Sequence, residues 1–226
     1  MSRGLLFLAA ASVLSAQMAG GDVIPGQLND FEDGTLQSWL GGVTLTNIAT
    51  GGPAGAGDHY LEVSQPLSFR KLGAFNSASD WTGDYQAVGV AAITADFRTT
   101  HATPLDIRLV LFGPGGSITS VDRWTSTAAE PLANDGAWHT LTFSILGADL
   151  TQVRGTDPYT DTITGVQRIL LRHQSGLPAV GGTSIAADMD IDNITAIAVP
   201  EPSAIWGGLS LLAVIGLRRG SRRSNG

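Results

Sequence analysis

The chain between residues 21 and 199 carries the periodicity of β-strands and not that of helices. No stretch of twelve or more residues there places apolar side chains at helical spacing, whereas runs of alternating or continuous β-formers recur. Glycine-rich segments separate many of these runs, since glycine reaches the positive φ angles of tight turns. About eight or nine strands predict an all-β fold, a two-sheet antiparallel β-sandwich of the jelly-roll type. The predicted strands are 43–48, 59–63, 87–98, 105–112, 117–123, 138–145, 166–173 and 185–197.

Cysteine is absent, and the basic residues are unevenly distributed along the chain. Disulfides, thiol nucleophiles and thiolate metal sites are therefore excluded, and core burial must supply the stability. Four of the thirteen Lys and Arg residues lie in the last nine positions and Arg3 lies at the start, which leaves eight basic against nineteen acidic residues between positions 21 and 199. Affinity for phosphate backbones requires positive charge, so no nucleic-acid partner is expected.

The N-terminus has the pattern of a secretory signal peptide. Arg3 gives a positive start, residues 4–14 are almost entirely apolar, and small residues recur up to Gly20. This order is typical of signal peptides, whereas an amphipathic first helix would also show a polar face. Residues 1–20 are therefore predicted to direct export by the Sec machinery, and residues 21–198 to form one β-sandwich domain outside the cytoplasm.

The C-terminal region combines three elements in a fixed order. The tripeptide Pro200-Glu201-Pro202 precedes an apolar run at 204–217, and an arginine cluster follows at 218–223. At about 1.5 Å per residue this run spans roughly 21 Å as a helix, which is short for a hydrocarbon core of roughly 30 Å. Flanking arginines stay on the cytoplasmic side, which leaves the acidic body outside.

These elements resemble the PEP-CTERM sorting signal, and the match covers residues 199–223. That family occurs on exported proteins of Gram-negative bacteria that make exopolysaccharide, and its tail is removed by a membrane protease-transpeptidase called exosortase. The resemblance implies Pro200, Glu201 and Pro202 as the sorting motif. It also implies a transient inner-membrane anchor and delivery to the cell envelope or extracellular matrix. An ordinary tail anchor is the alternative, and it would place the body on the same side of the membrane.

The body carries a further pair of motifs near its two ends. It opens with FEDG at 31–34 followed by Trp39, and it closes on DNI at 192–194. This order resembles carbohydrate-binding modules of the galactose-binding-like jelly-roll type, in which an FE-DG…W opening strand lies beside a closing D-N-I strand. The resemblance implies a carbohydrate ligand, for which exopolysaccharide is the expected source. A laminin-G or concanavalin-like sandwich, with the same layers in another strand order, is the competing fold.

The acids of these two motifs also bear on a metal ion. In the resembled family the opening and closing acids commonly share a structural Ca²⁺ with backbone carbonyls, which implies Glu32 and Asp192 as the ligands here. Calcium accepts about six to eight oxygen ligands in irregular geometry, so carbonyls of residues 51–58 would complete the shell. The alternative is that Asp192 caps a turn or faces solvent. Further candidate ligands are Asp30, Asp33, Asp58 and Asp190.

Aromatic rings in polar loops are candidate sugar platforms, because flat rings stack on pyranose faces. Trp81 and Tyr85 lie in a polar segment before a long predicted strand, and Trp124 lies at the end of another. These three are the predicted ligand-binding residues, and the alternative is that their rings cover the edge of the core. Trp39 and Trp138 match core positions of the resembled family.

Catalysis is not expected. Asp188, Asp190 and Asp192 alternate along a predicted strand and so share one face, and paired carboxylates are the catalytic groups of glycosidases. The chain nevertheless lacks the glutamates of the laminarinase-type E-x-D-x-x-E strand, its four histidines are scattered, and it has no G-x-S-x-G motif. We expect a non-enzymatic binding or structural component of the cell surface or matrix. The alternatives are an extracellular polysaccharide-active glycosidase or lyase, and a structural module without a small ligand.

Overall fold

The computed structural model describes residues 22–115 and 120–199. The predicted signal peptide at 1–20, the Pro200-Glu201-Pro202 motif and the apolar run after it lie outside these ranges, so they stay predictions. Within the described ranges, no helix has both the length and the apolar character needed to cross a membrane.

Short strands dominate the described residues, which also contain one α-helix and two 3-10 turns. The strands are β1 (Leu28–Asn29), β2 (Trp39–Leu40), β3 (Thr44–Ile48), β4 (Tyr60–Gln65), β5 (Gly73–Asn76), β6 (Val90–Arg98), β7 (Leu105–Phe112), β8 (Arg123–Ser126), β9 (Glu130–Leu132), β10 (His139–Ser144), β11 (Leu150–Arg154), β12 (Arg168–His173) and β13 (Ala187–Ala198). The helix α1 is Tyr159–Ile163, and the 3-10 turns are Ser79–Trp81 and Gly147–Asp149.

The strands pair antiparallel in two sheets. The first sheet has the order β10-β6-β13-β4-β3, and β1 also pairs with β13. The second has the order β11-β8-β7-β12-β5-β2, and β9 also pairs with β7. The chain crosses from one sheet to the other between β4 and β5, between β6 and β7, and between β12 and β13, as it does in double-sheet sandwiches. The predicted all-β, two-sheet architecture is confirmed.

One hydrophobic core fills the space between the sheets, because side chains alternate along each strand. The first sheet contributes Ile93 and Phe97 from β6, and the second contributes Ile169 and Leu171 from β12. Phe97 meets Phe143 of β10 edge to face, with ring centroids 6.0 Å apart. Burial of these side chains is the main source of stability in a chain that has no disulfide.

The second sheet is apolar on both faces at its centre. Along β7, Leu109 and Leu111 belong to the core between the sheets, whereas Val110 and Phe112 pack with Leu170 in a separate cluster. An antiparallel sheet with one solvated face normally alternates apolar and polar residues. The outer face of the second sheet therefore carries an apolar cluster of its own.

Two predicted strand boundaries are wrong. β6 begins at Val90 and not at residue 87, because Gly89 turns with a φ of 73° and Val90 N–H donates to Tyr85 O at 3.0 Å. β8 begins at Arg123, where the strand predicted at 117–123 was expected to end. Residues 117–119 of that prediction lie outside the described residues.

Candidate functional site

A cleft of about 500 Å³ lies on the outer face of the second sheet. Strands β5, β12, β7 and β8 form its floor, while residues 69–72 and 180–182 form its walls. The chain segments that carry the walls are hydrogen-bonded to each other, since Ile185 N–H donates to Arg70 O at 2.8 Å and Lys71 forms a β-bridge with Ser184. Two loops that are distant in sequence are therefore fixed beside one another above the sheet.

Strand pairing arranges the floor side chains in rows. Residues directly opposite each other in an antiparallel pair point to the same face, so each row crosses several strands. The register gives three rows on the outer face: Arg168, Phe112 and Arg123; Phe75, Leu170, Val110 and Thr125; Gly73, Arg172 and Arg108. The floor therefore combines aromatic rings with guanidinium groups.

The arginines of the first row stack on the aromatic rings. The Arg168 guanidinium carbon lies 4.0 Å from the ring centroid of Phe75 and 5.5 Å from that of Phe112. The Arg123 guanidinium carbon lies 4.6 Å from the Phe112 centroid. Burial lowers the pKa of both arginines below the usual value, and for Arg123 the neighbouring charges of Arg154 and Arg168 add to the effect. Arg123 Nη1 also donates to Val180 O at 3.3 Å. Stacking on the rings restricts the orientation of the guanidinium groups.

Arg172 is the most deeply buried cation of the cleft, with 4% of its surface exposed. Its Nη1 donates to Val180 O at 2.8 Å, and its Nη2 donates to Ala179 O at 2.6 Å and to Gln174 Oε1. Burial lowers its pKa to about 10, and the charges of Arg123 and Arg108 contribute. The side chain thereby attaches the wall at 180–182 to the floor strand β12.

Two glycines make room for the basic side chains of the cleft. A Cβ on Gly73 would lie 2.8 Å from both Arg172 Cβ and the Leu171 carbonyl oxygen. A Cβ on Gly181 would overlap Lys71 Nζ, so the ammonium group of Lys71 lies against the opposite wall. Side chains at positions 73 and 181 would displace the cations that the cleft presents.

Phe69 supplies an exposed ring at the edge of the cleft. It is 72% exposed, the highest value for an aromatic side chain among the large exposed hydrophobics of the described residues. It precedes Arg70 and Lys71 in the wall at 69–72. An apolar ring held in water beside donor groups is the arrangement that a sugar face and its hydroxyls require.

The sequence-based prediction of Trp81 and Tyr85 as a sugar platform is wrong. Both side chains are 0% exposed, because the 3-10 turn Ser79–Trp81 inserts the indole into the core. Trp81 Nε1 donates to Asn29 Oδ1 at 2.6 Å, and Tyr85 Oη donates to Trp81 O at 2.9 Å. Asn29 Oδ1 also accepts a 2.8 Å bond from Trp39 Nε1, so one buried amide satisfies two indoles.

Trp124, the third predicted platform residue, does not line the cleft. It lies between Arg123 and Thr125 on β8, and the alternation of the strand turns it toward the core. Its ring packs edge to face against Tyr159 at a centroid distance of 5.7 Å. The alternative of a ring that covers the core edge therefore describes Trp124, and the three predicted residues do not form a common surface.

Asp192 of the predicted metal pair is buried, with 1% of its surface exposed, so it does not face solvent. It precedes Asn193, whose φ of 51° accompanies a shift in the pairing of β13 with β6. Asn193 N–H donates to Asp192 Oδ1 at 2.7 Å. Burial, together with the negative charges of Asp58, Asp96 and Glu32, raises the pKa of Asp192 to about 7 despite that hydrogen bond.

Glu32, the other predicted ligand, is exposed and belongs to the same acidic neighbourhood. Its Oε1 accepts a 2.8 Å bond from His59 N–H, which follows Asp58 in the segment after the glycine-rich loop. In residues 22–115 and 120–199, no group of three or more His, Asp or Glu side chains converges closely enough to hold a metal ion by itself. A site built on Glu32 and Asp192 would therefore also require backbone carbonyl ligands, as the sequence predicts.

The alternating aspartates of β13 have separate environments. Asp190 is paired with Arg98, whose Nη2 lies 2.7 Å from Asp190 Oδ2. Burial raises the pKa of Asp190 to about 6, although Arg98 opposes the shift. Arg98 also lies over the ring of Trp138, 4.6 Å from its centroid, so Trp138 belongs to the outer face of the first sheet and not to the predicted core position. Asp190 is thus part of a structural network.

The cleft residues are not among those predicted from the sequence. Only Trp and Tyr rings were predicted as platforms, although Phe69 is followed by two basic residues in a loop, a signal that the sequence contains. The rows of the floor depend on pairing between strands far apart in the chain, such as Arg168 with Phe112, and no local pattern reveals that register.

The architecture is that of the β-sandwich carbohydrate-binding modules. No protein-family model matches the chain, and no curated protein matches it significantly. Several solved structures do match the chain. The family 11 carbohydrate-binding module from Clostridium thermocellum, in complex with a β-1,3-1,4-mixed-linked tetrasaccharide, matches with a TM-score of 0.52 at 15% identity. The alignment covers 80% of this chain and 99% of the module.

Two agarases contain a similar domain. An exo-β-agarase matches with a TM-score of 0.52 at 13% identity, over 78% of this chain and 25% of its own. Another agarase matches with a TM-score of 0.51 at 11% identity, over 76% of this chain and 24% of its own. At these identities the likeness establishes the fold, and it confirms the carbohydrate-binding-module type of sandwich that the opening and closing motifs predict.

Proposed function

We propose that this protein is an exported, non-enzymatic polysaccharide-binding β-sandwich that holds a glycan in the cleft of the second sheet. The observation that carries the proposal is that the exposed ring of Phe69 lines the same cleft, of about 500 Å³, as Phe75 and the Arg168 stacked on it. Rings bind the apolar face of a pyranose, and fixed N–H donors bind its hydroxyls. The solved module bound to a tetrasaccharide has the same fold.

The test is glycan binding by the purified protein and by Phe69→Ala. Binding to a panel of soluble plant, algal and bacterial polysaccharides is measured by affinity electrophoresis, and the Kd of the best ligand by calorimetry. Loss of one stacking ring should weaken binding about tenfold, equivalent to about 1.4 kcal/mol. Leu28→Ala, which removes an exposed side chain from the first sheet, should leave the Kd unchanged. Failure to bind any glycan, or equal binding by Phe69→Ala, would refute the proposal.

We also propose that Glu32 and Asp192 hold a structural Ca²⁺ together with backbone carbonyls of residues 51–58. The support is a buried carboxylate whose neighbours Asp58, Asp96 and Glu32 are also acidic, a local excess of negative charge that fits a cation. When bound, the ion would supply the neutralising charge and would join β13 to the segment before β2.

Export and sorting complete the proposal. The support is the signal-peptide pattern of residues 1–20 and the PEP-CTERM pattern of residues 199–223. Exosortase would process the tail, and the body would reach the cell envelope or the extracellular matrix of a Gram-negative bacterium.

No catalytic role is proposed. Among the aspartates that alternate along β13, Asp190 forms an ion pair with Arg98, and Asp192 is buried. Release of reducing ends from a bound polysaccharide would favour the alternative, an extracellular polysaccharide-active enzyme.

A further inference from the structure

We propose that the ligand of the cleft is an anionic polysaccharide, whose sugar units carry carboxylate or sulfate groups. This inference rests on the proposed function, since it assigns a chemical class to the glycan in the same cleft. It is carried by the distribution of charge, by the environment of the buried arginines and by the geometry of the stacked ones.

Positive charge is concentrated on one side of an acidic molecule. Between residues 22 and 199 there are eight basic and nineteen acidic residues. Arg98 alone among the eight belongs to the first sheet, and the others lie on the second sheet or on the segment that leads into β5. In the part of the chain that the structure describes, no acidic residue lines the cleft, whereas five of these eight basic residues do: Arg70, Lys71, Arg123, Arg168 and Arg172. A cleft lined by one sign of charge focuses the electrostatic potential and attracts ligands of the opposite sign.

Two ion pairs are formed among the described residues, and neither involves Arg168 or Arg172. They are Arg98 with Asp190, and His139 with Asp135. Arg168 stacks on two rings, and the hydrogen bonds of Arg172 go to carbonyl oxygens and to an amide oxygen. Arg172 Nε is buried without a hydrogen-bond partner among the described residues.

This arrangement is costly in the free protein. Charges that are desolvated without an opposite charge destabilise the folded state, and like charges at close range add to the cost. Burial lowers the pKa of Arg172 and of Arg168, because desolvation disfavours the charged form of each side chain. An anionic group bound between the arginines would remove part of that cost, whereas a neutral sugar would leave it.

The geometry suits carboxylate and sulfate groups, which each present two oxygens side by side. A guanidinium group donates two parallel N–H bonds to a carboxylate or sulfate, and the stacking of Arg168 between Phe75 and Phe112 fixes its plane. The Lys71 ammonium group lies close to Gly181 and adds a compact charge. Phe69, in the same cleft, offers an exposed ring to a sugar face. The cleft therefore combines sites for anions with a site for stacking.

The experiment compares polymers that share a backbone and differ in charge. Binding of the purified protein is measured for carboxymethylcellulose against hydroxyethylcellulose, and for dextran sulfate against dextran, at low and at high salt. We expect at least about tenfold tighter binding to one charged polymer than to its neutral partner, with a preference that shrinks as salt screens the charges. The carboxylate pair and the sulfate pair distinguish the two sources of anionic chemistry.

Three variants locate the effect. Arg168→Gln and Lys71→Glu should each weaken binding to the preferred anionic polymer about tenfold or more. Arg154→Gln removes a charge from the same sheet outside the cleft and should change binding less than about twofold. Lys71 is exposed, so Lys71→Glu tests the inference even if Arg168→Gln fails to fold.

The outcomes separate this inference from the proposed function. Binding that depends on Phe69 but is equal for charged and neutral polymers overturns the anionic ligand and leaves glycan binding intact. The absence of binding to every polymer overturns both. Equal binding to double-stranded DNA and to the sulfated polymer overturns the inference as well, because it would show attraction to any polyanion.

Discussion

At the scale of single residues, Asp192 makes the stability of the metal-free protein depend on pH. Its pKa of about 7 in the folded state exceeds its usual value of 3.8, so the folded state binds this proton more tightly than the unfolded chain does. The stabilisation is fully present below about pH 4 and is lost as the pH rises through about 7. Asp190, whose burial raises its pKa to about 6, acts in the same direction. In chelator, calorimetry should show a melting temperature several degrees lower at about pH 8 than at about pH 5.

The variant Asp192→Asn removes this titration. Its melting temperature in chelator should change less over the same pH range, and added Ca²⁺ should raise the wild-type value but not that of the variant, because a ligand of the folded state stabilises it. Asp188→Asn, an exposed change on the same strand, should behave as the wild type. A wild-type melt that ignores both calcium and chelator would eliminate the calcium proposal.

Asp192 and Trp81 show how far single residues can be interpreted from sequence. The closing DNI motif predicts Asp192 as a Ca²⁺ ligand, and this stays a prediction, whereas the alternative of a solvent-facing side chain is wrong because Asp192 is buried. Trp81 was misplaced, because polar neighbours suggested a solvent-facing loop. Its burial depends on Asn29, whose side chain accepts the indole N–H from 52 positions away. A polar neighbourhood along the chain does not determine the direction of a side chain that finds its partner through the fold.

At the scale of elements, the close packing of β5 against β12 positions the cleft. Gly73→Ala would place a methyl group 2.8 Å from Arg172 Cβ and from the Leu171 carbonyl oxygen, so the strands must separate. We expect a loss of about 1–3 kcal/mol in the free energy of unfolding, measured in urea, together with weaker glycan binding. The matched control is Gly42→Ala in the same cleft, where a Cβ meets nothing within 4 Å. Equal stability of both variants would show that β5 adapts without strain.

Long strands were predicted better than short ones. The strand predicted at 166–173 contains all of β12. Its period of two already places Arg168 and Arg172 on one side of the strand. Strands such as β1, β2 and β9 have two or three residues and are defined by a partner strand, so a periodic pattern has no room to appear. The turn before β6 was missed because apolar residues continue through it.

At the scale of the whole molecule, the C-terminal tripeptide should determine processing. Replacing Pro200, Glu201 and Pro202 with alanine should leave a longer form in the membrane fraction, because exosortase would no longer recognise the tail. Immunoblots of membrane and extracellular fractions from an exosortase-bearing host measure this. Ser203→Ala, next to the motif, should be processed normally. Normal processing of the triple variant would contradict the sorting proposal.

The two-sheet sandwich was predicted from the sequence, but the cleft on its second sheet was not. Strand-like periodicity and the motifs at 31–34 and 192–194 were sufficient for the fold type. The cleft depends on which strands are neighbours, and β12 lies between β5 and β7 although these strands are distant from it in the chain. The composition did not indicate the cleft either, because a net negative charge for the body does not show that its basic residues lie together on one face.

Along strands β7 and β12, alternate side chains point to the core and to the outer face of the second sheet. Ile169 and Leu171 face the core, while Arg168, Leu170 and Arg172 face the cleft. The two sets of side chains lie on opposite faces of one sheet, so a mutation in one set does not directly alter the packing of the other. Random libraries confined to positions 168 and 170 would sample new ligand preferences on an intact framework, and natural variation has the same freedom. Diversification of binding in such a sandwich requires neither new loops nor a new core.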